Sequence, residues 1–331
     1  MTKIKSNILE VVGDTPIVQL QRIAAKDIAL YAKLESNNPA GSMKDRTSKF
    51  IISELLRTGQ VQQGGTIVES SSGNMAIGLA QACLYYGLKL IVVVDPNINP
   101  QTIKILKAYK VEIVKVQYPK ENGGFLAARL EMVHHIVQHT PGSVWSNQYN
   151  NPNNPKAHDE TMTEIMDCFQ NELDYLFVAT STCGTLMGCA DFIAHHQLKT
   201  KLVAVDAQGS VLFGKKKGER KIPGHGAGVP SNFLDINKVD KVLHVSDYEC
   251  VKGCRTLLEK EAMLCGGSSG GLLTAFHKFQ NEIPKASKVL LLFADRGERY
   301  LDTVYNDHWV QKNINTVSYQ TSSKEVISLS A

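Results

Sequence analysis

Short β-branched runs alternate along the chain with stretches in which apolar residues recur at three- and four-residue spacing. The runs at 66–69, 89–94, 111–116, 175–179, 202–205 and 289–293 predict strands. The stretches at 75–86, 102–109, 125–139, 159–169, 186–195 and 272–279 predict helices. Strands separated by helices imply an α/β fold with parallel sheets, because each crossover helix returns the chain to the same end of the sheet. Residues 147–155, rich in asparagine and holding two prolines around Tyr149, read as a non-helical connection and a lobe boundary. The tail from residue 316 is serine-rich, weakly patterned and expected to fray. No internal repeat interrupts this order.

With 331 residues, the chain is long enough for two lobes, each with its own core. Hydrophobic residues at 43% and charged residues at 21% exclude disordered and fibrous classes. The longest apolar runs, such as Leu90-Ile91-Val92-Val93-Val94, are too short to span a bilayer, so no membrane partner is expected. The start, Met1-Thr2-Lys3-Ile4-Lys5, shows no apolar h-region, so cytoplasmic residence is the expectation. Seven cysteines form no CxxC pair, and their odd number argues against a disulfide framework. Cys250 and Cys254 share a helix face, where core filling explains them better than a metal does. A net charge of +4 is too mild to imply nucleic acid. Lys215-Lys216-Lys217-Gly218-Glu219-Arg220-Lys221 is a local basic loop, either a solvated turn or an attractor of anionic substrates.

Three turns and one lysine carry the chemistry. Lys44, in Asn38-Pro39-Ala40-Gly41-Ser42-Met43-Lys44-Asp45-Arg46, stands at a helix start, where the helix dipole disfavours a cation. Schiff-base formation would supply a reason for that placement, and a solvated surface lysine is the alternative. Ser71-Ser72-Gly73-Asn74 is an anion-binding turn after a short apolar run. Thr180-Ser181-Thr182-Cys183-Gly184-Thr185 follows a strand and opens a helix, so its backbone N–H groups and hydroxyls form a phosphate cradle. No lysine follows the glycine and no GxGxxG is present, which favours a cofactor's phosphate over a nucleotide's. In Cys265-Gly266-Gly267-Ser268-Ser269-Gly270-Gly271 a serine could cap the next helix, but four glycines suggest close backbone approach to a flat ligand.

With these turns in this order, the chain resembles the fold-type II pyridoxal-phosphate enzymes of the cysteine synthase and cystathionine β-synthase family, from about residue 7 to 301. The resemblance implies a homodimer of two α/β lobes closing over pyridoxal 5′-phosphate. The large lobe would comprise 1–40 and 150–315, and the small mobile lobe 41–149. Lys44 matches the Schiff-base lysine, and Asn74 the asparagine at the cofactor's 3-hydroxyl. Ser181, Thr182, Cys183, Gly184 and Thr185 match the phosphate loop, and Ser268 the serine facing the pyridine nitrogen. A neutral partner there limits charge delocalisation into the ring and favours β-elimination, through an α-aminoacrylate, over transamination. Ser71, Ser72, Gly73, Asn74 and Met75, with Gln148 and Ser181, would hold the substrate, chiefly through its α-carboxylate.

Met75-Ala76 replaces the Thr-Gly usual in cysteine synthases, with the loss of a hydroxyl and a gain in bulk. Tyr149 replaces a phenylalanine, and Arg129 lies on the helix after Gly123-Gly124. Each could be ordinary packing or a solvated face. Together they suggest extra capture of a carboxylate, which an amino-acid nucleophile requires and sulfide does not. These departures, with Val94-Asp95-Pro96-Asn97, Gly209-Ser210-Val211-Leu212-Phe213-Gly214 and Asp295-Arg296-Gly297-Glu298-Arg299-Tyr300-Leu301-Asp302, resemble the branch that joins O-phospho-L-serine to L-glutamate, making a precursor of 2,3-diaminopropionate. The alternatives are a cysteine synthase, a cystathionine β-synthase, or a catalytically weak member acting as a binding partner.

Overall fold

The computed structural model describes residues 4–23, 27–214 and 216–314. The expected fraying from residue 316 lies outside them. The chain begins with β1 (Ile17–Gln19), β2 (Ala29–Leu34) and α1 (Lys44–Arg57). It continues through β3 (Thr66–Ser70), α2 (Asn74–Tyr85), β4 (Lys89–Val94), α3 (Pro100–Ala108), β5 (Glu112–Lys115), α4 (Gly124–His139) and β6 (Ser143–Trp145). Next come α5 (Asn153–Lys156), α6 (Asp159–Phe169), β7 (Tyr175–Ala179), α7 (Gly184–His195) and β8 (Lys201–Ala207). The remainder is β9 (Lys241–Val245), α8 (Asp247–Glu261), α9 (Gly267–Phe279), β10 (Lys288–Phe293) and α10 (Asp307–Asn313).

These strands form two sheets, a four-stranded one in the order β5-β4-β3-β6 and a six-stranded one in the order β1-β2-β10-β7-β8-β9. Helices cover both faces of each, which is why the strands read as continuous apolar runs. Along β10, Val289, Leu291 and Phe293 pack with α8 and α9, while Leu290 and Leu292 pack with α6 and α7. Along β4, Leu90, Val92 and Val94 face α1 and α2, while Ile91 and Val93 face α4.

The six strands expected from the pattern are all present, within two residues at either end. Three features differ. Pairing is parallel except at the edge, where β1 runs antiparallel to β2. The 147–155 connection is not wholly irregular, since α5 forms a turn of helix there, with Pro152 as its N-cap, where a missing N–H costs nothing. Strands β1, β2, β6 and β9 and helices α1, α8 and α10 lie outside the elements that the apolar pattern predicts. In α1 the buried face holds Asp45, Arg46, Thr47 and Ser48, and in α8 it holds Cys250, Gly253 and Cys254. All seven cysteines are free thiols, with Cys168 alone exposed.

Candidate functional site

Four helices start around the end of β10. Met43 N–H donates to the Ala294 carbonyl at 2.8 Å, which seats the start of α1. Gly266 N–H donates to the Asp295 carbonyl at 3.1 Å and seats α9. Asn74, the first residue of α2, donates from Nδ2 to Asp295 Oδ2 at 2.8 Å. The Thr185 hydroxyl, in the first turn of α7, lies 3.2 Å from Met43 Sδ. First-turn N–H groups have no intrahelical acceptors, so their convergence at the carboxyl ends of parallel strands makes an anion-binding crevice.

Lys44 is the first residue of α1. Burial brings its amine down to about 8, against a weak opposing pull from the Cys183 thiol. Cys183 caps α7 in a left-handed conformation, with φ 65°, and burial pushes its thiol up to about 12. Ser181 is half-buried, while Thr182, Gly184 and Thr185 are buried. Asn154 on α5 donates to the Gln148 carbonyl at 2.7 Å and to Thr182 Oγ1 at 3.4 Å. His158 Nε2 sits 3.0 Å from Thr185 Oγ1, and burial holds this imidazole well below its usual range. Two residues outside the expected set thus brace the 181–185 loop from behind.

The turn before α2 gathers the other expected residues. Ser71 is buried, and its hydroxyl accepts from Gly73 N–H at 3.4 Å. Gln148 Nε2 donates to the Ser70 carbonyl at 3.3 Å, and its N–H donates to Glu69 Oε2 at 3.2 Å. Arg129 Nη1 donates to Ser72 Oγ at 3.1 Å, and its Nε lies 3.4 Å from Asp95 Oδ2. Burial raises the Tyr149 phenol, with the Arg129 and Arg220 cations opposing it and Glu69 reinforcing it. Arg129 therefore joins α4 to the turn before α2 through Ser72, and its charge reaches Tyr149 on a third segment.

Two expectations need correction. Met75 adds no bulk to the turn, because its side chain is buried in the core against α1, where Ser48 Oγ is 3.5 Å from its sulfur. Its backbone N–H is one of the first-turn groups of α2, which have no intrahelical acceptor. The glycines of 266–271 are explained by protein neighbours. A Cβ at Gly270 would lie 2.1 Å from the Cys250 carbonyl, one at Gly267 2.4 Å from Ile222, and one at Gly266 1.9 Å from Asp295 Oδ1. Helices α8 and α9 cross closely at that point. Ser268 is buried in the first turn of α9, as is Ser269, whose hydroxyl has no partner among the described residues.

Asp295, Arg299 and Arg220 complete the surroundings. The first two lie just past β10, and position beyond the carboxyl end of a central parallel strand is the signal that marks them in the sequence. In the basic loop, Lys215 is outside the described residues, Lys216 and Lys217 are exposed, and Lys221 pairs with Glu219. Arg220 Nη1 donates to the His225 carbonyl at 3.1 Å. His225 is fully buried, and among the described residues neither ring nitrogen has a partner; burial brings it down to about 4.

The donor set fits pyridoxal phosphate. It comprises a desolvated lysine, a helix-start phosphate cradle, an amide and a neutral hydroxyl. Buried polar atoms that no described residue satisfies include Asp295 Oδ1, just past β10, Ser269 Oγ, in the first turn of α9, and Ser70 Oγ, at the end of β3. No described group of histidines, cysteines and acids could hold a metal ion, and no described helix is long and apolar enough to cross a membrane.

Known proteins point to the same cofactor class. The family described as "Pyridoxal-phosphate dependent enzyme" matches residues 8–295. An N-(2-amino-2-carboxyethyl)-L-glutamate synthase of Ralstonia nicotianae is 42% identical over 311 residues, covering 93% of this chain and 92% of its own. The structure of an O-acetylserine-dependent cystathionine β-synthase from Helicobacter pylori is similar with TM-score 0.84 and 29% identity, covering 92% of this chain and all of its own. A cysteine synthase from Entamoeba histolytica gives TM-score 0.85 and 30% identity, covering 92% of this chain and 91% of its own. The chain belongs to the pyridoxal-phosphate-dependent enzymes, with the two-sheet fold of the cysteine synthases.

Proposed function

We propose that the protein catalyses a β-replacement that joins O-phospho-L-serine to L-glutamate, giving N-(2-amino-2-carboxyethyl)-L-glutamate and phosphate. The observation that carries this reading is the Arg129 guanidinium. It is bonded to Ser72 on the carboxylate-binding turn and acts on Tyr149, which also feels Arg220. One substrate carboxylate is served by the α2 start, and a second cationic locus beside it suits a dicarboxylate nucleophile. The 42% identity to a synthase named for that product supports the same reading.

In this reading the residues divide the work. Ser181, Thr182, Cys183, Gly184 and Thr185 hold the cofactor's phosphate, Lys44 its aldehyde carbon, Asn74 its 3-oxygen, and Ser268 its ring nitrogen. Bound pyridoxal phosphate supplies an electron sink for negative charge on the substrate's α-carbon. Ser71, Ser72, Gly73, Asn74 and the backbone of Met75, with Gln148, grip the α-carboxylate and orient the Cα–H bond toward Lys44 Nζ. That amine, lowered to about 8, is half unprotonated at about pH 8, against 10.5 for an ordinary lysine, and takes the α-proton. Arg220 and the basic loop favour a dianionic leaving group. Arg129 and Tyr149 then hold the glutamate side chain.

The small lobe is taken as 41–149 and the large lobe as 1–40 with 150–315. The family resemblance supports a cytoplasmic homodimer. Purified enzyme with pyridoxal phosphate should convert O-phosphoserine and glutamate to a product identified by mass spectrometry, faster than O-acetylserine and glutamate. Faster turnover with sulfide or homocysteine at equal concentration would reject the glutamate assignment in favour of cysteine synthase or cystathionine β-synthase.

A further inference from the structure

Asn74 is held on both ends of its amide. Its Nδ2 donates to Asp295 Oδ2 at 2.8 Å, and its Oδ1 accepts from Arg299 Nη2. Asp295 Oδ2 also accepts from Tyr300 Oη at 2.7 Å and lies 3.7 Å from Arg299 Nη2. Arg299 is tied down in turn, since Asn99 Nδ2 at the start of α3 donates to its carbonyl at 2.9 Å. Both charged groups are largely buried, with side-chain exposures of 12% for Arg299 and 2% for Asp295. Rotating the amide by half a turn would set its NH2 against the guanidinium donors and its carbonyl against the carboxylate. In a buried site two such mismatches are costly, so the orientation is over-determined.

We propose that Arg299 and Asp295 are positioning residues that lock the Asn74 amide, so that Asn74 meets the cofactor's 3-oxygen only as a hydrogen-bond donor. One Nδ2 hydrogen is committed to Asp295, and the other is the donor that remains. Arg299 on the carbonyl polarises the amide and strengthens that donor. The same contacts join α2, beside the four-stranded sheet, to the segment leaving β10 in the six-stranded sheet. This rests on the assignment of Asn74 as a cofactor contact.

The test is a double-mutant cycle on cofactor affinity, measured by equilibrium dialysis of the full-length protein with pyridoxal phosphate, with circular dichroism to verify folding. Asn74→Ala should weaken binding about tenfold, and Arg299→Met about three- to tenfold. If Arg299 acts through Asn74, the double variant should bind within about twofold of Asn74→Ala alone. The pH midpoint of the bound cofactor's absorbance should also move in the same direction in both single variants. Additive losses, or an unmoved midpoint in Arg299→Met, would overturn the positioning role while leaving Asn74 as a contact. No loss in Asn74→Ala would overturn both. Should Arg299→Met fail to fold, Asp295→Asn, which keeps the shape and removes the charge, runs the same cycle under the same criteria.

Discussion

Lys44 shows how one residue trades stability for reactivity. Its amine stands at about 8 in the fold against 10.5 in an unfolded chain, chiefly through burial. The folded state therefore binds the proton more weakly, so the penalty on folding is fully present below pH 8 and disappears above about pH 10.5. Lys44→Met should abolish turnover yet raise the stability of the cofactor-free protein at pH 7 by roughly 1–3 kcal/mol, with the gain vanishing at high pH. Thermal unfolding of the two apoproteins across pH 7 to 10.5 checks both the size and the sign. Arg129 makes a different prediction, because its contacts are with Ser72, just before α2, and with Asp95. Arg129→Ala should leave elimination of phosphate from phosphoserine nearly intact and slow the second half-reaction with glutamate about tenfold to a hundredfold. Rapid-mixing absorbance with and without glutamate separates the two steps, and equal slowing of both would count against the assignment.

At the scale of elements, the crossing of α8 and α9 sets what the 266–271 turn tolerates. The missing Cβ atoms at Gly253 and Gly270 let the two backbones meet, since a Cβ at Gly253 would sit 2.0 Å from the Gly270 carbonyl. Those neighbours are backbone atoms and cannot rotate away. Gly270→Ala should thus destabilise the protein by about 1–3 kcal/mol or more through overpacking, read as a lower denaturant midpoint. Because the first turn of α9 carries Ser268, the same change should also weaken cofactor binding. An unchanged midpoint would show that the helices separate more easily than this packing implies. In the sequence these glycines suggest space for a ligand. Composition alone does not distinguish close approach to a ligand from close approach to a helix, because both require the same absent side chain.

Across the whole molecule, a buried ion-pair network ties the helix bearing Lys44 to the six-stranded sheet. Arg46 on α1 bonds Glu35 at 2.7 Å and Glu164 on α6 at 2.6 Å, and Lys33 on β2 bonds Glu164 at 2.6 Å. Burial alone would raise the Glu164 carboxyl, but hydrogen bonds and charge from Arg46 and Lys33 outweigh it and hold the group at about 2. A depressed carboxyl stabilises the fold fully above its unfolded value of 4.5, and that contribution is lost as pH falls toward 2. Glu164→Gln should cost about 3 kcal/mol at pH 7, and the difference from wild type should shrink below pH 4.5. Denaturant unfolding at pH 7 and pH 3 tests it, and a pH-independent difference would assign the effect to packing. Misplacement of α1 in this variant should also slow cofactor capture by Lys44.

The sequence by itself determined the alternation of strands and helices, the chemical character of the helix-start turns, and the family they resemble. These are local properties, set by apolar periodicity and by small residues in unbroken runs. Only the tertiary structure decided which charges meet. Asn74 finds Asp295 and Arg299 more than two hundred residues away, and Arg46 finds Glu164 across 118. The polar face of α1 carries no sign in the sequence that it is buried, because the ion partners that permit burial lie in the turn after β2 and on α6. Periodicity registers what a residue shares with its neighbours in the chain, whereas the cost of burying a charge depends on the partner that long-range folding places against it.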